Sequence, residues 1–183
     1  MKPDLREGFA RIVKKASLAM GRRNGGFTCG LIAVDTIRMT TGDGQISPLR
    51  YRLCEGLRRG INVRMARYLL QRGPAVGVTK FYVAGDEMSR RERVRVRYDV
   101  NRGAESIAAE IQERKVHAAI LFTNNHAATL ISDGEGGLSV VMKTTCLDDG
   151  NIRPCTRRSA KRQIKEAWRD GGVIIVLPKV SKG

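Results

Sequence analysis

The sequence predicts an α+β fold: a mixed, mostly antiparallel sheet carrying four to five helices, with one βαβ unit over 92–123. Three observations lead there. Apolar residues recur at helical spacing through most of the first seventy positions. Period-two alternation is clearest at 92–100. Short apolar runs of strand length, such as Val116–Thr123 and Val173–Leu177, crowd the second half.

Taken in order, residues 4–20 read as a helix. Asp4 and Glu7 have capping-box spacing, and Leu5, Phe9, Ile12, Val13, Ala16 and Met20 form one stripe, with Arg6, Arg11, Lys14 and Lys15 off it. Gly21 and Asn24-Gly25-Gly26 stop it. Residues 27–35, FTCGLIAVD, read as a buried strand that runs on through Ile37 and Met39, before a turn at 41–44. Ser47-Pro48 opens a second helix, with Ser as N-cap and Pro at the first helical position, and Leu49, Leu53 and Leu57 as its inward stripe. After Gly60, a helix from Asn62 to Gln71 buries Val63, Ala66, Leu69 and Leu70, and Gly73-Pro74 ends it.

Residues 78–84 read as a strand. In 92–100, Val94, Val96, Tyr98 and Val100 share one face of a strand, and Arg93, Arg95, Arg97 and Asp99 share the other. A helix over 103–115 turns Ala104, Ile107, Ala108 and Ile111 inward, and 116–123 is a buried strand. Residues 126–132 and 138–146 form a hairpin around the glycine-rich 133–137. Thr156 caps a last helix to about Asp170, Gly171-Gly172 ends it, and 173–177 is a final buried strand. The whole of 1–183 reads as a single domain, with a helical part over 1–73 and a sheet-rich part over 74–183, because 27–35 is too apolar to stand without a sheet.

Composition narrows the function. Against 18 Asp+Glu stand 34 Lys+Arg, for a formal charge of +16, while 42% hydrophobic and 28% charged residues are ordinary for a globular chain. No apolar run approaches the ~20 residues that cross a bilayer, and the N-terminus lacks an apolar signal core. A cytoplasmic protein without membrane contact is the expectation. The charge is blocked: it is positive over 1–26, 48–72 and 151–183, and acidic over 127–150. The middle block uses arginine alone, including Arg50, Arg52, Arg58 and Arg59, and arginine meets phosphate with a planar fork of donors.

Three basic constellations follow. Arg93, Arg95 and Arg97, same-face residues on a strand, repeat every ~7 Å, close to the phosphate spacing of one nucleic-acid strand, and Arg90 and Arg91 extend the row. On the last helix Arg158, Lys161, Arg162, Lys165 and Arg169 form a cationic side opposite Ala160, Ile164, Ala167 and Trp168. The third, 48–72 followed by Gly77-Val78-Thr79, faintly echoes a helix-turn-helix and offers Arg58 and Arg59 as further phosphate ligands. Aromatics are only 5%, so backbone-led recognition of duplex DNA or structured RNA suits the chain better than base stacking.

The leading expectation is therefore a sequence-tolerant, non-catalytic nucleic-acid-binding protein whose cationic segments converge on one exposed side. A small nuclease is the alternative from another class, through His117 and His126 as acid and base, or through Asp99, Glu113 and Lys115. Asp35 is a further carboxylate without an assigned partner. A third reading is an assembly subunit, homo-oligomeric or coat-like, or a binder of an acidic protein. No cofactor is expected. Cys29, Cys54, Cys146 and Cys155 form no CxxC pair, so a zinc site mixed with His117 and His126 is a weaker reading than free thiols and no metal.

Overall fold

The computed structural model describes residues 3–20, 27–72, 76–83, 100–123, 126–132, 136–142 and 151–178. The described helices are α1 (Pro3–Met20), α2 (Cys29–Thr41), α3 (Pro48–Gly56), α4 (Val63–Gln71), α5 (Val100–Gln112) and α6 (Arg157–Asp170). The strands are β1 (Val76–Val83), β2 (Ala118–Thr123), β3 (His126–Ser132), β4 (Leu138–Met142), β5 (Asn151–Cys155) and β6 (Gly172–Pro178). They form one six-stranded sheet in the order β1-β6-β2-β3-β4-β5, every neighbouring pair antiparallel. The fold is α+β.

The sheet is the middle layer of three. On one face Ala118, Ile120 and Phe122 of β2, Ala127 and Ile131 of β3, and Ile174 and Val176 of β6 pack with Phe9, Ile12 and Val13 of α1, Leu31 and Val34 of α2, and Leu69 and Leu70 of α4. On the other, Ala119 and Leu121, Ala128 and Leu130, and Val173 and Ile175 pack with Ala104, Ile107 and Ile111 of α5 and Ala160, Ile164 and Ala167 of α6. Residues on both sides of Gly73-Pro74 thus share the first core. Alternate side chains enter different cores, so both must be apolar, and the central strands read as unbroken apolar runs. The close approach at the end of α6 requires glycine: a Cβ on Gly171 would lie 2.3 Å from the Phe122 carbonyl oxygen.

Most expected elements are present. α4 buries Val63, Ala66, Leu69 and Leu70, and the Asn62 side chain caps it by accepting from the Met65 amide. α5 buries the expected stripe, β3 and β4 pair as the expected hairpin, and Thr156 caps α6.

Four expectations are corrected. Residues 29–41 are helix α2, not a strand. Every residue from Gly30 to Ile37 is buried, so the helix has no polar side to impose a helical period on its sequence. Gly42, at φ +78°, ends it by donating to the Met39 carbonyl, a left-handed position that suits glycine. Second, Leu49, Leu53 and Leu57 point outward, because α3 is anchored by its opposite side through Tyr51, which is fully buried. Third, Gly77-Val78-Thr79 lies in β1, so no recognition helix starts there. Fourth, α1 begins at Pro3, one residue ahead of the start at Asp4 that the sequence predicts. The strand β5 was not expected at all; as an edge strand it tolerates Pro154, which has no amide to donate. Of the proposed βαβ unit, residues 92–99 lie outside the described residues; Val100 opens α5, and both neighbours of β2 run antiparallel to it.

Three helices of the first layer, α1, α2 and α3, and the turn after α2 meet at one buried carboxylate. Asp35 of α2 is wholly buried. It forms an ion pair with Lys15 of α1 and accepts from the Tyr51 hydroxyl of α3 at 2.7 Å and from the Ile46 amide at 2.6 Å. Lys15 also donates to the Ile46 carbonyl at 3.0 Å and lies 4.9 Å from the centre of the Tyr51 ring. Burial and the adjacent carboxylate push the Tyr51 phenol far above its ordinary range, so it remains a donor.

Removing that carboxylate charge strands Lys15 in a largely buried position. Asp35→Asn should therefore lower unfolding stability by about 2–4 kcal/mol in urea titrations. Lys15→Met added to it should recover part of the loss; a strictly additive double variant would show that the two side chains are not coupled.

Candidate nucleic-acid interface

α6 is built as a cationic face on an apolar footing. Ala160, Ile164 and Ala167 are buried against α5 and the sheet, and Trp168 is half-buried beside them. Thr156 accepts from the Ser159 amide, fixing the start of the helix at 3.2 Å. Arg157 reaches across to α5 and donates twice to the Gln112 side-chain oxygen, at 2.9 and 3.2 Å. Arg158, Arg162 and Arg169 are exposed, and Lys161 and Lys165 are half-buried. Lys161 pairs with Glu105 of α5 at 3.3 Å and Arg162 with Glu166 at 3.9 Å. Solvent-exposed pairs of this kind hold their partners by ~1 kcal/mol or less, so a phosphate can compete for them. Arg162, Lys165, Glu166, Trp168 and Arg169 line an open groove of about 550 Å³.

Arg58 and Arg59 lie elsewhere. They follow the end of α3, which packs on α1 in the layer on the opposite side of the sheet from α6. The expectation that the cationic segments share one exposed side therefore fails for those two relative to α6. Arg90, Arg91, Arg93, Arg95 and Arg97 lie outside the described residues. Arg58 takes φ +49°, a left-handed conformation that a side chain disfavours; there its amide donates to the Glu55 carbonyl while the Arg59 amide donates to that of Cys54, closing the helix.

A second basic surface was missed in the sequence. Arg11, Lys14 and Lys15 of α1 and Arg52 of α3 line a groove of about 320 Å³ together with Leu18 and Pro48. The blocks of positive charge at 1–26 and 48–72 were visible, but not the buried Lys15–Asp35–Tyr51 contact that sets α1 against α3.

The residues considered for catalysis are dispersed. His117 precedes β2 and His126 pairs with Thr123 at its far end, roughly 20 Å along the strand, so they cannot act on one phosphodiester as acid and base. His117 instead shares a 2.7 Å hydrogen bond with the Thr40 hydroxyl. Glu113 and Lys115 form an exposed ion pair at 2.8 Å, and Asp99 lies outside the described residues. Asp35 is the structural carboxylate already described. Among the described residues no three His, Cys, Asp or Glu side chains come together as a metal site, and Cys29, Cys54 and Cys155 are free thiols.

Compared with known proteins, the chain matches no family model, no curated protein and no solved structure.

Burial lowers the pKa of both His117 and His126 below 6.5. The unfolded chain then takes up protons more readily than the folded one, so both histidines contribute stability that is present above about pH 6.5 and lost as acid is added. The urea midpoint should fall between about pH 7.5 and pH 5.5, and His117→Gln should flatten part of that fall; a midpoint that does not move would contradict it. Arg58→Gly should raise unfolding stability by about 0.5–1 kcal/mol by relieving the left-handed backbone, whereas Arg58→Ala, which keeps a Cβ, should not.

Proposed function

We propose that this is a sequence-tolerant nucleic-acid-binding protein, acting on duplex DNA or structured RNA through phosphate contacts and without catalysis of its own. The observation that carries this reading is the exposed cationic side of α6, held firmly by an apolar underside. A net charge of +16 supports it, because the chain's own carboxylates are too few to neutralise its lysines and arginines. Arg158, Arg162, Lys165 and Arg169 would contact phosphates directly, with Lys161 joining them by exchanging Glu105 for phosphate. The row Arg93, Arg95 and Arg97, with Arg90 and Arg91, belongs to the same proposal. Arg58 and Arg59 form a separate contact on the other helical layer. Among the described residues no helix is long and apolar enough to cross a membrane; we place the protein in the cytoplasm, a setting in which free thiols persist.

Neutralising six to eight phosphates would give a log–log salt slope of about −5 to −7 on duplex DNA. Replacing Arg158, Arg162 and Lys165 together by Ala should weaken binding to unrelated sequences by similar factors and flatten that slope by about 2–3, as measured by fluorescence anisotropy at several salt concentrations. Unchanged affinity in that variant removes α6 from the interface.

A further inference from the structure

The outer side of α3 carries a leucine stripe that none of the described residues covers. Leu49, Leu53 and Leu57 are 63%, 51% and 74% exposed, and Leu18 on neighbouring α1 is 74% exposed. Single exposed leucines are common; here Leu49 and Leu53 on α3 and Leu57 at its C-cap follow at i, i+4 and i+8, all turned away from the core. On a helical projection Arg50 and Arg52 flank the stripe on its two sides, and Arg58 and Arg59 extend beyond its end. Arg11, Lys14 and Arg52 share the adjoining groove with Leu18 and Pro48. The surface is thus an apolar seam with a cationic rim.

We infer that this surface docks an acidic amphipathic helix from a partner protein, with leucine-like side chains set along the α3 stripe and glutamate or aspartate on the flanks. Charge complementarity selects that occupant. A second copy of this chain would bring Arg50, Arg52, Arg58 and Arg59 against the same arginines. Phosphates alone gain nothing from leucines. A bilayer is flat, whereas the groove between α1 and α3 is concave and takes a projecting side chain. Arginine forks also match carboxylates in a fixed, bidentate geometry, and a helix laid on such a groove is an established way of joining two proteins. The site lies on the opposite layer from α6; it shares Arg58 and Arg59 with the secondary contact of the nucleic-acid reading, but it rests on the α3 leucines and stands without that reading.

The probe is a fluorescein-labelled peptide of about 18 residues with leucines at helical spacing and glutamates elsewhere. Its control contains the same residues in shuffled order. At about 0.15 M salt the patterned peptide should bind at least about tenfold tighter than the shuffled one, by anisotropy. Leu53→Asp should abolish that advantage, and so should Arg50→Glu with Arg52→Glu. The α6 triple variant should bind the peptide as the parent does, which separates this site from the nucleic-acid interface. Leu53 is half in solvent, so Leu53→Asp should keep its circular dichroism spectrum; Leu57→Asp, beyond the helix end, replaces it if it does not. Equal binding of the two peptides would reduce the interaction to bare charge attraction and overturn the proposal. So would a Leu53→Asp or Leu57→Asp protein that folds and binds unchanged. Binding to phosphatidylcholine vesicles containing about a third phosphatidylserine, lost in Leu53→Asp while the peptides are not distinguished, would replace the protein partner by a lipid surface.

Discussion

Four segments of the helical layer are tied together by a single buried ion, the carboxylate of Asp35. An isolated carboxylate cannot be taken out of water without a large penalty, so its position requires partners that satisfy both oxygens. Lys15 and Tyr51 meet one oxygen and the Ile46 amide the other. Each comes from a different segment: α1, α3 and the turn after α2. The charge therefore acts less as a source of stability than as a specification of how α1, α2 and α3 are arranged, since any other arrangement strands it. The outward position of the α3 leucines follows. Tyr51 must reach Asp35, and on a helix that turns residues 49, 53 and 57 away.

What could be read in the sequence separates along physical lines. α6, α4 and α5 each bury one side and expose the other, so their amphipathic period is genuine. Thr156 and Asn62 marked the starts of α6 and α4 and Gly171 the end of α6, whereas α5 runs from Val100 to Gln112 and not over the 103–115 read from its stripe. β2, β3 and β6 were found as apolar runs, and their length distinguished them from helices. α2 failed on the same criterion: fully buried over eight consecutive positions, it has the composition of a central strand, and only tertiary surroundings decide the matter. α3 failed for the opposite reason. Its period was read correctly and its direction was inverted, because hydrophobic spacing shows which residues share a side but not which side faces inward. The partner that decides, Asp35, lay in a segment read as strand. For the candidate site, the cationic side of α6 was legible because it is local to one helix. The groove of Arg11, Lys14 and Arg52 was not, because it joins residues far apart in sequence.

The three-layer arrangement also changes how the positive charge should be understood. A sheet flanked by helices on both sides holds its two outer surfaces apart, so cations on α6 and cations at α1 and α3 cannot belong to one compact footprint. Charges separated by more than a Debye length, about 8 Å at physiological salt, act almost independently. Each surface must then be judged by its own chemistry. α6 offers cations with half-buried Trp168 at its groove and little exposed aliphatic surface. α3 offers cations around bare leucine.

That contrast in apolar content is the discriminating feature. A surface evolved only to hold phosphates gains from every arginine and nothing from leucine, which costs solubility instead. Fully covering a leucine is worth about 1.5–3 kcal/mol, so three exposed ones on a single stripe represent a large reserve of association energy that the described part of the chain does not use. Stability gives no reason to leave them outside, because the inward side of α3 is already committed to Tyr51 and Asp35. The helix thus presents two apolar-polar systems back to back, one satisfied within the fold and one open. The cationic rim restricts what can close the open one to a surface that is both apolar and acidic.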